Sequence, residues 1–250
     1  SNDAGTGTLN AASNNTGFGV DVFAALTTGD DNVAVGKSAL VGNTTGHSNT
    51  AVGSASLDAN TTGIRNTALG FESLSANTEG TQNTAVGKGA LLLNNTGAEN
   101  TAVGSSALDA NTTGSSNTAV GQGALDTNTT ASSNTAIGHD AMKVNTTGAD
   151  NVAIGKDALD ANTTAHSNTA IGTNSLSGNT TGADNVAVGL SSLYTNTTGA
   201  SNTALGKAAL FANTTGNANV AIGAIAGDAI TTGDNNTAVG TGALSTATTA

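Results

Sequence analysis

Asparagine recurs at residues 15, 32, 49, 66, 83, 100, 117, 134, 151, 168, 185, 202, 219 and 236, a spacing of 17 that never slips. In a chain with so strict a period, every unit meets the same neighbours. Such chains stack their units one on the next instead of wrapping them around a single core. With repeat positions numbered 1 to 17 from each of these Asn residues, there are fourteen units, the last cut to fifteen residues. Residues 1–14 do not fit the pattern. The expected division is an irregular segment at 1–14 and a repeat domain at 15–250.

The units align on one another and show which slots demand one residue type. Position 1 is always Asn, including Asn49, Asn66, Asn83, Asn100, Asn117 and Asn134. Position 5 is always Gly, including Gly53, Gly70, Gly87, Gly104, Gly121 and Gly138. Position 3 is Ala except at Gly17, and position 4 is Val, Ile or Leu except at Phe18. Position 8 is Ala or Ser except at Val22, and position 9 is Leu apart from Phe23, Met142 and Gly227. Positions 12 to 15 read Asn-Thr-Thr-Gly with few departures, as at Asn111, Asn128 and Asn145. Positions 6, 7, 10, 11, 16 and 17 vary.

A helical repeat needs about 30 residues for two helices and favours strong helix formers. Here 17 residues carry several Thr, Asn and Gly, which are poor inside helices. The expectation is an all-β chain: a β-solenoid, or parallel β-roll, of fourteen 17-residue coils. "NTAV" alternates as a strand does, with positions 2 and 4 on one face and 1 and 3 on the other. Gly at position 5 ends that strand, "SAL" at 7–9 is expected as a second short strand, and "NTTG" as the return loop. Coils about 4.8 Å apart would make a rod roughly 65–70 Å long, with identical residues in ladders along it. The large apolar groups at positions 4 and 9 are expected inside. The Ala columns at 3 and 8 must sit against something close, either across a narrow coil or against another chain.

The ends of the array mark position 12. It is Leu26 in the first unit, Ile230 in the thirteenth and Ala247 in the last, and Asn elsewhere. Terminal repeats commonly depart from consensus because they cap the stack. An apolar residue replacing Asn only near the ends implies that position 12 points inward. The Asn-x-Thr sequons at this position, from Asn43 to Asn213, are then buried and not glycosylated.

Composition narrows the chemistry. Net charge is −11, and the six basic residues are Lys37, Arg65, Lys88, Lys143, Lys156 and Lys207. No cluster of these neutralises a run of phosphates, which argues against nucleic acid as a partner. No apolar run approaches the roughly 18 residues of a membrane span, so no membrane insertion is expected. "SNDAGTGTLN" lacks the features of a signal peptide, and the truncated last unit is what a segment of a longer protein would show. There is no Cys, hence no thiol nucleophile and no thiolate metal site. His47, His139 and His166 occupy variable positions, no base stands fixed beside a nucleophile, and no phosphate-binding loop occurs. The expectation is a non-enzyme with no catalytic residue, no cofactor and no metal. Calcium-binding β-rolls carry Asp in every turn. Here position 10 takes Asp58, Asp109, Asp126, Asp160 and Asp228 but also Leu92, Lys143 and Phe211.

The "NTA[VIL]GxxALxxNTTGxx" unit resembles the repeats of bacterial surface fibres and phage tail-fibre-like proteins. It is more distantly similar to the head of trimeric autotransporter adhesins, whose shorter unit of 14 residues also places an "AIG" step at a strand end. The resemblance covers residues 15–250. It implies a parallel β-roll, often trimeric, that serves as a stalk or adhesive head, with a host-surface or glycan ligand among its partners. The functional expectation is therefore an extracellular or cell-surface fibre that associates with itself as a parallel homotrimer or by fibre packing. The alternative is a binding module whose flat Thr/Asn-rich face holds ice or glycan. Against ice, adjacent Thr such as Thr112 and Thr113 would point to opposite faces of an extended strand.

Overall fold

The computed structural model describes residues 12–246. The remainder of the segment at 1–14, and Ala247, lie outside the described residues. The chain is an all-β solenoid built from fourteen three-residue strands, β1 (Thr16–Phe18) to β14 (Thr237–Val239), each formed by repeat positions 2–4. Contacts group the chain into two units, Ser1–Gly123 with Thr127–Thr130, and Ala124–Asp126 with Ala131–Ala250. The first holds β1 to β7 (Thr118–Val120) and the second β8 (Thr135–Ile137) to β14. Within each unit neighbouring strands pair in parallel, and every register is offset by one repeat: Thr84 opposite Thr101, Ala85 opposite Ala102, Val86 opposite Val103.

The alternation of the strand is as expected, but its sense is reversed. Ala at position 3 is fully buried within its own coil, and positions 2 and 4 face outward. Phe18, Leu69, Ile137, Ile171, Ile222 and Val239 at position 4 are all exposed. The interior is too narrow for a branched side chain from both walls. Position 9 supplies the single large apolar group of each coil, from Leu40 to Leu210, and the small columns at 3 and 8 pack across from it. The Ala columns are thus covered by their own chain.

The second expected strand is absent. Positions 6–11 form a turn, in which positions 7 and 9 both take left-handed backbone, as at Ser38 (φ 59°) and Leu40 (φ 51°). A third left-handed residue sits at position 17, as at Ser48 (φ 58°). Such backbone costs an ordinary residue about 1–2 kcal/mol. What holds it is a bond to a neighbouring coil in each case, the preceding coil for positions 7 and 17 and the following one for position 9. Ser38 N–H donates to the Val20 carbonyl (2.8 Å), Leu40 N–H to Ser56 (3.1 Å) and Ser48 N–H to Asp30 (2.9 Å). Turn and strand therefore carry the same kind of inter-coil ladder, although only the strand is straight.

Position 5 shows why its Gly is invariant. Its φ lies between 113° and 145°, a region that L side chains rarely adopt. A Cβ on Gly104 would also lie 2.5 Å from the Gly121 carbonyl oxygen of the next coil. Gly104→Val is expected to lower the unfolding temperature markedly by circular dichroism, since neither the backbone angle nor the coil spacing can give. Conversely, Ile225 is a branched residue at position 7 with φ 50° and 41% exposure. Asn174 and Gly89 occupy the same slot elsewhere. Ile225→Asn is expected to stabilise the chain by about 1 kcal/mol, because Asn tolerates the left-handed region.

Candidate functional site

The most ordered chemistry of the molecule is internal, at positions 1, 12 and 15. Asn49 is fully buried and donates Nδ2–H to the Gly63 carbonyl at position 15 of its own coil (2.9 Å). Asn60 at position 12 donates to the same carbonyl (3.1 Å) and to Oδ1 of Asn43 one coil back (2.8 Å). One carbonyl thus accepts from both Asn columns, using both its lone pairs. The Oδ1 of Asn49 in turn accepts the backbone N–H of Asn66 (2.9 Å). The pattern recurs at Asn100, whose Nδ2 donates to Gly114 (2.8 Å) and whose Oδ1 accepts Asn117 N–H (3.0 Å). It recurs in the second unit at Asn145 and Asn162, joined at 2.8 Å. Buried amides without partners are costly, and a continuous column supplies partners coil after coil.

The ladder residues expected from the sequence are therefore structural. Asn66, Asn83, Asn111, Asn128 and Asn134 are fully buried, as are the other Asn of both columns between Asn32 and Asn219. Burial of position 12 closes its sequons to sugar. The direct amide-to-amide contact expected at position 1 is the longer bond, 3.2 Å from Asn83 Nδ2 to Asn66 Oδ1 against 3.0 Å for the backbone N–H. Ser and Ala interchange at position 8 because a Ser hydroxyl there finds a carbonyl of its own coil, as Ser56 does at Gly53 (3.0 Å).

Where the columns end, neighbours change together. Gly17 replaces the position-3 Ala in the coil that carries Val22 and Phe23, and a Cβ there would meet Val22 Cγ1 at 2.9 Å. Gly227 replaces the position-9 Leu in the coil that carries Ile230, and a Cβ there would meet Ile230 Cδ1 at 3.3 Å and Leu210 Cδ2 at 3.1 Å. Ile230 thus fills volume that Leu fills elsewhere. It also ends the position-12 column, which leaves Oδ1 of Asn213 buried without a partner.

Outside, the variable positions carry the titratable groups. His47 is half-buried and His166 exposed, and no metal ligand set forms around either among the described residues. His139, Asp140 and Asp157 come together with their ligand atoms within 4.8 Å, a grouping that spans two coils and that no linear motif announces. Lys143 Nζ lies 3.3 Å from Asp140 Oδ2, and Lys156 Nζ 3.5 Å from Asp157 Oδ2, so each carboxylate already has a lysine partner within the chain. Asp126 and Asp160 are held above the usual carboxylate range, chiefly because the coil wall removes water from them. Asp160 accepts the Ser177 hydroxyl at 2.7 Å, which offsets part of that shift. Tyr194 and Phe211 stack in adjacent coils with ring centroids 5.3 Å apart, turning their faces to each other.

The outward faces of the strands form the largest uniform surface. Position 2 is Thr or Val and position 4 Val, Ile, Leu or Phe in all fourteen coils, so no charge stands on either column. Sequence reasoning placed this surface inside. No family model, no curated protein and no solved structure matches this chain.

The paired exchange at 227 and 230 is testable by a double-mutant cycle. Gly227→Leu alone overpacks the coil and Ile230→Asn alone leaves a void, each costing about 1–3 kcal/mol. Together they restore the pattern of the other coils, and the double variant is expected to lose far less than the sum in denaturant unfolding.

Proposed function

We propose that the chain is a structural or adhesive fibre module of the cell surface or extracellular space, which associates with itself through the outward faces of its strands. One observation carries this reading. The interior repeats the same residues from coil to coil, while the strand faces present an uncharged aliphatic column along the stack. A partner that covers this column over its length must repeat at the same spacing, about 4.8 Å per coil. A second copy in parallel register does so. The acidic chain repels its own copies elsewhere, and the uncharged columns at 2 and 4 are where two copies approach at least electrostatic cost. Burying a Val or Ile at each coil gains about 1.5–3 kcal/mol per side chain before entropy. The variable positions 6, 10, 11 and 16 remain available for display, which suits a stalk or an adhesive head.

Of the two alternatives for the position-3 and position-8 Ala columns, packing against another chain falls away, because both are covered inside the coil. Support for association now comes from the strand faces, with position 4 supplying the large apolar groups. Light scattering on the wild-type chain should give a multiple of the chain mass, three times for a parallel trimer, and electron microscopy should show elongated particles. Ile137→Glu with Ile154→Glu and Ile171→Glu should yield a folded species of lower mass, since these side chains face outward. A wild-type monomer would overturn the self-association reading.

A further inference from the structure

We propose that the row of threonines at repeat position 14 is an ice-binding face, with the ordered water of an ice surface as its ligand. The row is clearest in the second unit, where it comprises Thr147, Thr164, Thr181, Thr198, Thr215 and Thr232, all exposed. Every other slot explains its own residue. The outward positions 6, 10, 11 and 16 have no structural demand and vary. Position 13 keeps Thr for a structural reason: its hydroxyl donates to the position-13 carbonyl of the next coil, as Thr146 does to Thr163 (2.9 Å) and Thr180 to Thr197 (3.0 Å). Position 14 has no such reason. Among the described residues its hydroxyls take no hydrogen bond within the chain. Glu79 fills the slot in one coil of the first unit with the backbone bonds unchanged, Glu79 N–H donating to Asn95 at 3.3 Å. An exposed slot that admits Glu yet holds Thr in every other described coil is kept for what its hydroxyl and methyl do outside.

The geometry selects the ligand. The segment is a bend and not a strand, so the two adjacent Thr are not forced to opposite faces of a sheet. Position 13 is half-buried in most coils, Thr197 being exposed, and position 14 is exposed throughout the row. The N–H groups of both donate to one carbonyl of the next coil, as Thr180 and Thr181 do to Thr197 (2.9 and 3.2 Å), so the row is clamped to the ladder and does not wander. One hydroxyl and one methyl therefore repeat about every 4.8 Å over six coils, or about 24 Å. Around Thr181 and Thr198 the flanking side chains are low, Ala183 and Ala200 at position 16 and Gly178 at position 11, whereas His166, Asn217 and Asp234 stand at position 16 nearer the ends of the row. A single exposed row of uncharged hydroxyls and methyls offers no enclosure for a discrete molecule. A ligand that engages the whole row is one that itself repeats at close to that spacing, as the oxygen lattice of an ice surface does. This face is separate from the strand columns at positions 2 and 4, so it stands or falls independently of self-association.

The test uses the full chain and ice alone, by nanolitre osmometry with microscopy of growing crystals. Wild type should show a gap between melting and freezing and should facet the crystal. Thr181→Lys with Thr198→Lys should abolish both while circular dichroism stays unchanged. Thr173→Lys with Leu190→Lys, at position 6 of the same two coils, should leave both intact. Absence of any gap in the folded wild type would overturn the proposal. So would retention of activity in the Thr181/Thr198 variant, or equal loss in the position-6 control. Light scattering on the same samples reports self-association separately.

Discussion

A single backbone carbonyl, that of position 15, organises each coil. Between the end coils two asparagine amides reach it, one fourteen residues before it and one three residues before it, as Asn49 and Asn60 reach Gly63. That convergence closes the coil, because it ties its first residue to its last turn. The Oδ1 atoms left over accept donors from the next coil and pass the same demand along the chain. A buried carbonyl or amide without a partner would cost about 1–3 kcal/mol. Each coil therefore needs an identical neighbour, and the exact spacing of 17 follows from that need.

This polar interior changes what holds the fold together. One Leu per coil is a small apolar contribution, and the backbone carries three left-handed residues in each coil. Hydrogen bonds between coils compensate at the same points: positions 7, 9 and 17 each donate across the gap. Where the end coils depart from consensus, contacting positions change together, Gly17 with Val22 and Phe23, and Gly227 with Ile230. With the interior so determined, the outside is free to differ. Two surfaces nevertheless stay uniform, the aliphatic strand columns and the position-14 row, and these carry the functional readings.

Much of the architecture was legible in the residues. The period of 17 and the residue types it uses specify a stack of short coils. The column at position 12 declared its inward direction through Leu26 and Ile230, which replace Asn only near the ends. The grouping of His139, Asp140 and Asp157 was not legible, since it forms only when adjacent coils are laid side by side.

The sequence by itself determined that the units stack in parallel and that the Asn and Gly columns are obligatory, because only identical neighbours satisfy amides and close backbone approach at every step. Only the tertiary structure decided which face of "NTAV" is the inside. Alternation separates positions 1 and 3 from 2 and 4 but carries no sign, and both sets contain apolar residues. The sign came from the width of the coil. Leu at position 9 fills it from one wall, so the opposite wall can offer only Ala, and the larger Val, Ile and Leu are turned out. Nor did composition reveal the left-handed turn at 7–9, because Leu in that conformation is tolerated only where a neighbouring coil binds its N–H and its side chain is wholly buried.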